Sequence, residues 1–175
     1  MTMQIETSHV GSLPRSKKVV DFIFAKEKEQ AYDEIAFDVT MKEAVELTVK
    51  KQKDAGITIA SDGETSKISY ATYVKDRFHG FGGDSPRNAP ADLKLFPTYL
   101  EKLANDGGTP KYARPMCIDK LESKNSNDLD KDISNLSLSI KNNSIKKGFM
   151  NSASPGVISL FLQNQYYPNL SLIHI

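Results

Sequence analysis

Between Thr40 and Glu64 the chain carries one helix, one tight turn and one short strand in immediate succession, and this unit limits the fold more than any other feature. Met41, Ala44, Val45, Thr48 and Val49 recur at helical spacing and make one apolar stripe, and Thr40-Met41-Lys42-Glu43 has the pattern of a capping box at its start. Gly56 supplies the stop, because a left-handed residue after a helix is most often glycine. Ile57-Thr58-Ile59-Ala60 then reads as a buried strand, and Ser61-Asp62-Gly63-Glu64 as the polar loop leaving it. Helix, turn, buried strand and loop are half of a βαβ repeat, which requires a parallel neighbour.

The same alternation predicts further elements on both sides. Gln4 to Val10 reads as a first strand ending at Gly11-Ser12-Leu13-Pro14, followed by a helix with Val19, Val20, Ile23 and Phe24 on one face and Lys26 to Gln30 on its charged continuation. Tyr70 to Phe78 reads as a helix, and Gly80 to Asn88 as a surface loop or lid. A helix opening at Pro97 carries Leu100, Leu103 and Ala104 and stops at Asn105-Asp106-Gly107-Gly108. Arg114 to Ile118 reads as a strand ending at Asp119. Leu129, Ile133, Leu136 and Ile140 trace a helix stopped by Gly148, Phe149-Met150-Asn151 reads as a strand, and Ser154-Pro155-Gly156 opens a last helix. Strands alternating with helices point to a parallel sheet, as a barrel or a doubly wound sheet. No GxGxxG follows the first strand, which disfavours the dinucleotide-binding version and leaves the barrel. In a barrel the loops bearing Ser12, Asp62, Glu64, Asp119 and Ser154 open onto one face.

Composition bounds the function. With 23 Lys and Arg against 22 Asp and Glu and no block of either sign, no nucleic-acid footprint or membrane-surface patch is expected, so the expected partners are small molecules or protein. No apolar run reaches bilayer length, and residues 1–7 lack the pattern of a signal peptide. Cys117 is the single cysteine, which excludes an internal disulfide framework and a cysteine cluster for zinc and fits a cytoplasmic setting.

Three segments carry candidate chemistry. Thr7 to Arg15 places Gly11, the Ser12 hydroxyl and the Arg15 guanidinium where a strand becomes a loop, an arrangement able to hold a carboxylate; a plain turn set by Gly11 and Pro14 is the competing reading. Asp62-Gly63-Glu64 offers a carboxylate to a substrate ammonium, although alone it reads equally as a solvent turn. Gly148 to Gly156 places hydroxyls at a helix start, where N-capping by Ser154 competes with anion binding. His9 and His79 lack partners at metal-ligand spacing, and Cys117 on an apolar strand reads as a small buried hydrophobe.

In this order and spacing the motifs resemble the catalytic barrel of the cobalamin-independent methionine synthase family, especially its shorter single-barrel bacterial members. The resemblance covers most of Thr7 to Tyr167 and rests on His9-Val10-Gly11-Ser12-Leu13-Pro14-Arg15, on Gln52 with Asp62-Gly63-Glu64, on Gly80-Phe81-Gly82-Gly83-Asp84, and on Phe149-Met150-Asn151 running into Ser154-Pro155-Gly156. It implies a (β/α)8 barrel that transfers a methyl group from 5-methyltetrahydrofolate, as its polyglutamate, to a thiol, typically that of homocysteine, giving methionine. Zinc there holds the thiol as thiolate. By position, Ser12 would help hold the amino-acid carboxylate and Glu64 the amino group, with Arg15 and Asp62 as neighbours. The family's zinc ligands, a histidine, cysteines and a glutamate, belong to later strands, and Cys117 matches none of them. Residues 1–169 are therefore expected to be the first half of a truncated barrel, without zinc and inactive alone. Leu170-Ser171-Leu172-Ile173-His174-Ile175 resembles, residue for residue, the translation of a transposon adaptor used in DNA sequencing and is expected to be a non-native tail. Two rival readings stand beside this one: zinc-dependent alkyl transfer to another thiol, as in epoxide opening by coenzyme M, and a noncatalytic binding module.

Overall fold

A computed structural model describes residues 5–85, 91–106 and 114–169. Its centre is a short parallel row. Strand β1 (Ile59–Ser61) pairs in parallel with β4 (Lys147–Phe149), Ile59 opposite Lys147 and Ser61 opposite Phe149, and on its other edge Ile59 bridges in parallel to Ser8. The first strand read from the sequence shrinks to that bridge, with the Thr58 and Ile59 N–H groups both donating to the Thr7 carbonyl. It lies at the edge of the row with one described neighbour, and Ile5 and Val10 are exposed rather than packed. Gln4 lies outside the described residues.

Helix α1 (Lys17–Glu27) is capped by the Ser16 side chain, which accepts from the Val19 N–H, and buries Val19, Ile23 and Phe24 against Met41 of the next helix. That helix, α2 (Glu34–Asp54), starts seven residues earlier than the sequence pattern suggests. Asp33 caps it, accepting from Ala36 N at 3.0 Å, so Thr40 lies inside the helix and its hydroxyl donates to the Ala36 carbonyl at 2.7 Å. The capping box at Thr40 is thus not used, because an acidic cap upstream satisfies the first turn. Met41, Val45, Val49 and Gln52 are the buried side of α2, and Gly56 takes φ +81 just past its end.

Helix α5 (Asn127–Asn142) packs on α2, its Leu136 meeting Val45, Val49 and Ala60, while Leu129 and Ile133 at its start stay exposed. Gly148 does not stop this helix. It lies in β4, where a Cβ would collide with the Ile140 side chain, so its lack of a side chain lets α5 pack on the strand. Helix α6 (Pro155–Phe161) follows, with the Ser154 side chain accepting from Val157 N, as the capping reading expects.

Between β1 and α5 the chain makes an excursion. Helix α3 (Tyr70–Arg77) carries a capping box between Ser69 and Thr72 and runs directly into β2 (Phe78–Gly82), which pairs antiparallel with β3 (Met116–Ser123). Of the segment read as a loop or lid, Gly80 to Gly82 are therefore strand and Gly83 to Ser85 are not, while Pro86, Arg87 and Asn88 lie outside the described residues. Gly80 explains the misreading. At φ +90, a Cβ there would lie 2.5 Å from the Lys120 carbonyl oxygen, so the glycine serves close backbone approach at a register irregularity between His79 and Phe81. The strand read over Arg114 to Ile118 is accordingly β3, outside the parallel row, and Asp119 is an exposed mid-strand residue that does not open onto the face shared by Ser12 and Glu64. Helix α4 (Pro97–Asp106) begins at Pro97 as expected; the side chains of Leu103 and Ala104, with Gly107, Gly108 and residues 170–175, lie outside the described ones. The described fold is mixed α/β, with no closed barrel among the described residues. No described helix is long and apolar enough to cross a membrane.

Candidate functional site

The loop leaving the C-terminal end of β1 is built from below by α2. Gln52 donates through Nε2 to the Ser61 carbonyl at 2.8 Å and accepts from the Ser61 N–H at 3.0 Å, so one buried amide satisfies both backbone groups at the strand end. Gly63 follows at φ +61, and a Cβ there would meet Thr48 Cγ2 at 2.7 Å and Leu13 Cβ at 3.1 Å. Its carbonyl accepts from Leu13 N at 3.0 Å, tying this loop to the one after the first strand segment.

Glu64 is the centre of the cluster. It takes φ +54, a left-handed conformation that costs an ordinary residue about 1–2 kcal/mol, and it is 9% exposed. Surrounding bonds offset that cost. The Glu64 N–H donates to Asp62 Oδ1 at 3.1 Å, and Arg15 Nη2 donates to the Glu64 carbonyl at 2.5 Å. The side-chain carboxylate accepts from Ser12 Oγ at 2.6 Å on one oxygen and from Asn151 Nδ2 at 3.1 Å on the other. Ser12, Glu64 and Asn151 each follow a different member of the parallel row, so one carboxylate joins three consecutive strand ends.

Arg15 acts on backbone. Besides Glu64 it donates to the carbonyls of Thr65 at 3.1 Å and Lys67 at 2.5 Å, closing the loop as a ring. Burial pulls the guanidinium below its usual value, against the raising influence of Glu64 and Asp62. Asp62 turns inward: its Oδ2 accepts from Lys67 Nζ at 2.7 Å, with the two side chains only 5% and 2% exposed. Ser12, Arg15, Asp62 and Glu64, singled out separately from the sequence, thus form one hydrogen-bonded cluster. Asn151 and Lys67 complete it without having been assigned a role from sequence. Asn151 closed a quoted motif, and its partner lies 87 residues away; Lys67 carries no motif signal.

The other candidates lie elsewhere. Ser154 caps α6, His79 is in β2, and Cys117 on β3 is 3% exposed, its thiol pushed up by burial. His9 Nε2 is buried with no hydrogen-bond partner among the described residues. A groove of about 740 Å³ along α2, lined by Thr40, Ala44, Leu47 and Lys51, touches the cluster only through Arg15 and Thr65. Beside the cluster a second polar network joins α1, α3 and α5: Lys26 and Arg77 reach Asp128, while Arg77 and Tyr73 reach Asp132. Burial pushes the Asp132 carboxyl up, and burial with the Asp132 charge pushes the Tyr73 phenol up to about 12.

Parallel βα units whose loops gather on one side of the row define the class, a mixed α/β fold of the kind the sequence resemblance implies. The solved structure of a B12-independent methionine synthase from Shewanella sp. W3-18-1 in complex with selenomethionine is similar to this chain, with a TM-score of 0.62 over 95% of it at 19% sequence identity. The chain spans 43% of that protein's chain, and at this identity the likeness is one of fold. No protein-family model and no curated protein matches the sequence.

Proposed function

We propose that the chain is the amino-acid-holding part of a methyltransferase of methionine synthesis, which moves the methyl group of a 5-methyltetrahydrofolate polyglutamate to the thiol of homocysteine. The observation that carries this reading is the Glu64 carboxylate, held by two neutral donors, Ser12 and Asn151, from the neighbouring strand ends. Neutral donors orient the carboxylate and leave it acceptor capacity beside the Arg15 guanidinium, which is what recognition of a further cation needs. A substrate ammonium is the expected occupant. Ser12, on the first loop, would help hold the amino-acid carboxylate through its backbone N–H, its one hydroxyl proton being given to Glu64, while Arg15 and Asp62 keep the loop in shape. Zinc, in the resemblance, keeps the acceptor sulfur as thiolate; among the described residues no three His, Cys, Asp or Glu side chains group as metal ligands, so no step is assigned to a metal here.

A charge-assisted bond to a partly buried carboxylate contributes about 1.5–3 kcal/mol, or roughly ten- to a hundredfold in affinity. Titration of the 175-residue chain by NMR with L-methionine, and with 4-(methylthio)butanoate, which lacks the ammonium, tests this. The reading expects shifts at Ser12, Glu64 and Asn151 with L-methionine and at least about tenfold weaker binding of the des-amino compound. Equal affinities, or no response of the three loops, would overturn it.

A further inference from the structure

Lys67 is a buried cation that the proposed chemistry does not use. Its side chain is 2% exposed, with the ammonium 2.7 Å from Asp62 Oδ2 and 5.3 Å from the centre of the Tyr73 ring, so it is shielded from solvent. Its backbone is part of the same ring: the Lys67 N–H donates to the Glu64 carbonyl at 3.0 Å, and its own carbonyl accepts from Arg15. Asp62 is the link. One of its oxygens takes the Lys67 ammonium, and the other takes the N–H of Glu64, the residue in the left-handed conformation. The pair is costly to bury, and removing one member leaves an uncompensated charge. A carboxylate that lost Lys67 would turn toward water, which frees the Glu64 N–H. A chain needing only a turn at Gly63 has no use for a desolvated ion pair beneath it.

From this geometry we infer that Lys67 is a positioning residue for ammonium recognition: it acts through Asp62 to fix the Glu64 backbone, and so places the Glu64 carboxylate between Ser12 and Asn151. The inference rests on the reading of Glu64 as the ammonium seat. It goes further in assigning specificity to a residue that touches no ligand. The contribution is geometric, so a neutral pair that keeps the same hydrogen bonds serves as well as the charged one. Asp62→Asn leaves a side-chain oxygen to accept from the Glu64 N–H and adds an amide that can donate to the side-chain oxygen introduced by Lys67→Gln.

The test is the ratio of dissociation constants for 4-(methylthio)butanoate and L-methionine, measured by NMR on the full 175-residue chain and two variants, with far-ultraviolet circular dichroism and thermal melting as fold controls. In Lys67→Met the ratio is expected to fall from about tenfold or more to about one. In the double variant Asp62→Asn, Lys67→Gln it is expected to recover to within about threefold of the unmodified chain. A purely structural role would lower melting temperatures and leave the ratio in place. A folded Lys67→Met chain with an unchanged ratio overturns the inference, and so does a folded double variant without recovery. Should Lys67→Met not fold, the double variant alone decides. A ratio near one in the unmodified chain instead overturns the reading of Glu64, and the inference with it.

Discussion

Gly63→Ala is the sharpest perturbation of the loop that carries Glu64. Two costs follow from the structure. At φ +61 an alanine pays the left-handed penalty, about 1–2 kcal/mol. Its Cβ would also lie 2.7 Å from Thr48 Cγ2 and 3.1 Å from Leu13 Cβ, a clash of the kind that costs about 1–3 kcal/mol when packed neighbours must shift. Together the loss is about 2–5 kcal/mol, a large share of the roughly 5–15 kcal/mol that holds a domain folded. Urea unfolding followed by circular dichroism measures it. The two costs separate in a double variant, since Thr48→Ala removes the nearest obstructing methyl and leaves the backbone strain. Thr48→Ala, Gly63→Ala should therefore regain part of the clash cost and still fall about 1–2 kcal/mol below Thr48→Ala alone. A Gly63→Ala chain within about 0.5 kcal/mol of the unmodified protein would refute the geometry of this loop. So would a double variant that shows no recovery, because it would mean that Thr48 does not crowd this position.

Other perturbations test the surroundings. Gln52→Leu removes both partners of the Ser61 backbone and should cost about 2–6 kcal/mol in urea unfolding, from two unsatisfied buried groups; a loss below about 1 kcal/mol would contradict that pairing. Asp132 has a folded-state carboxyl raised above the ordinary 3.8, so the folded chain holds its proton longer than the unfolded chain, and stability from this group falls as pH rises from about 3.8 through the folded value. Asp132→Asn, neutral throughout, should gain stability relative to the unmodified chain between about pH 4 and 7, and a relative loss over that window would oppose the burial assigned to Asp132. Cys117 should react with a thiol reagent at least about tenfold more slowly in the folded chain than in urea, whereas equal rates would contradict its burial on β3.

Local chemistry was the readable part of the sequence. The apolar stripe of α2, the Gly56 stop, the Pro97 and Ser154 helix starts and the loop at Asp62-Gly63-Glu64 each depend on residues a few positions apart, and the structure places them near where the pattern does. Misreadings arose where a glycine serves a distant neighbour or where two residues compete to cap one helix. Gly80 and Gly82 look like loop residues, yet Gly80 admits the backbone of Asp119 and Lys120 in an antiparallel strand pair, and Gly148 makes room for Ile140 rather than ending a helix. Thr40 resembles a cap because the sequence pattern alone does not rank it against Asp33. Within the site, Ser12 and Glu64 sit in recognisable turns. The bond between them, and those to Asn151 and Arg15, span 49 to 87 residues and become visible only when the parallel row brings the strand ends together.

Everything proposed for this site depends on Glu64 receiving an ammonium group. Calorimetric titration of Glu64→Gln with L-methionine tests it most directly, because glutamine keeps the size and hydrogen-bonding reach of the side chain and removes its charge. L-methionine is expected to bind at least about tenfold more weakly, with an unchanged affinity for 4-(methylthio)butanoate. L-methionine binding equally well to the Glu64→Gln chain would contradict that role.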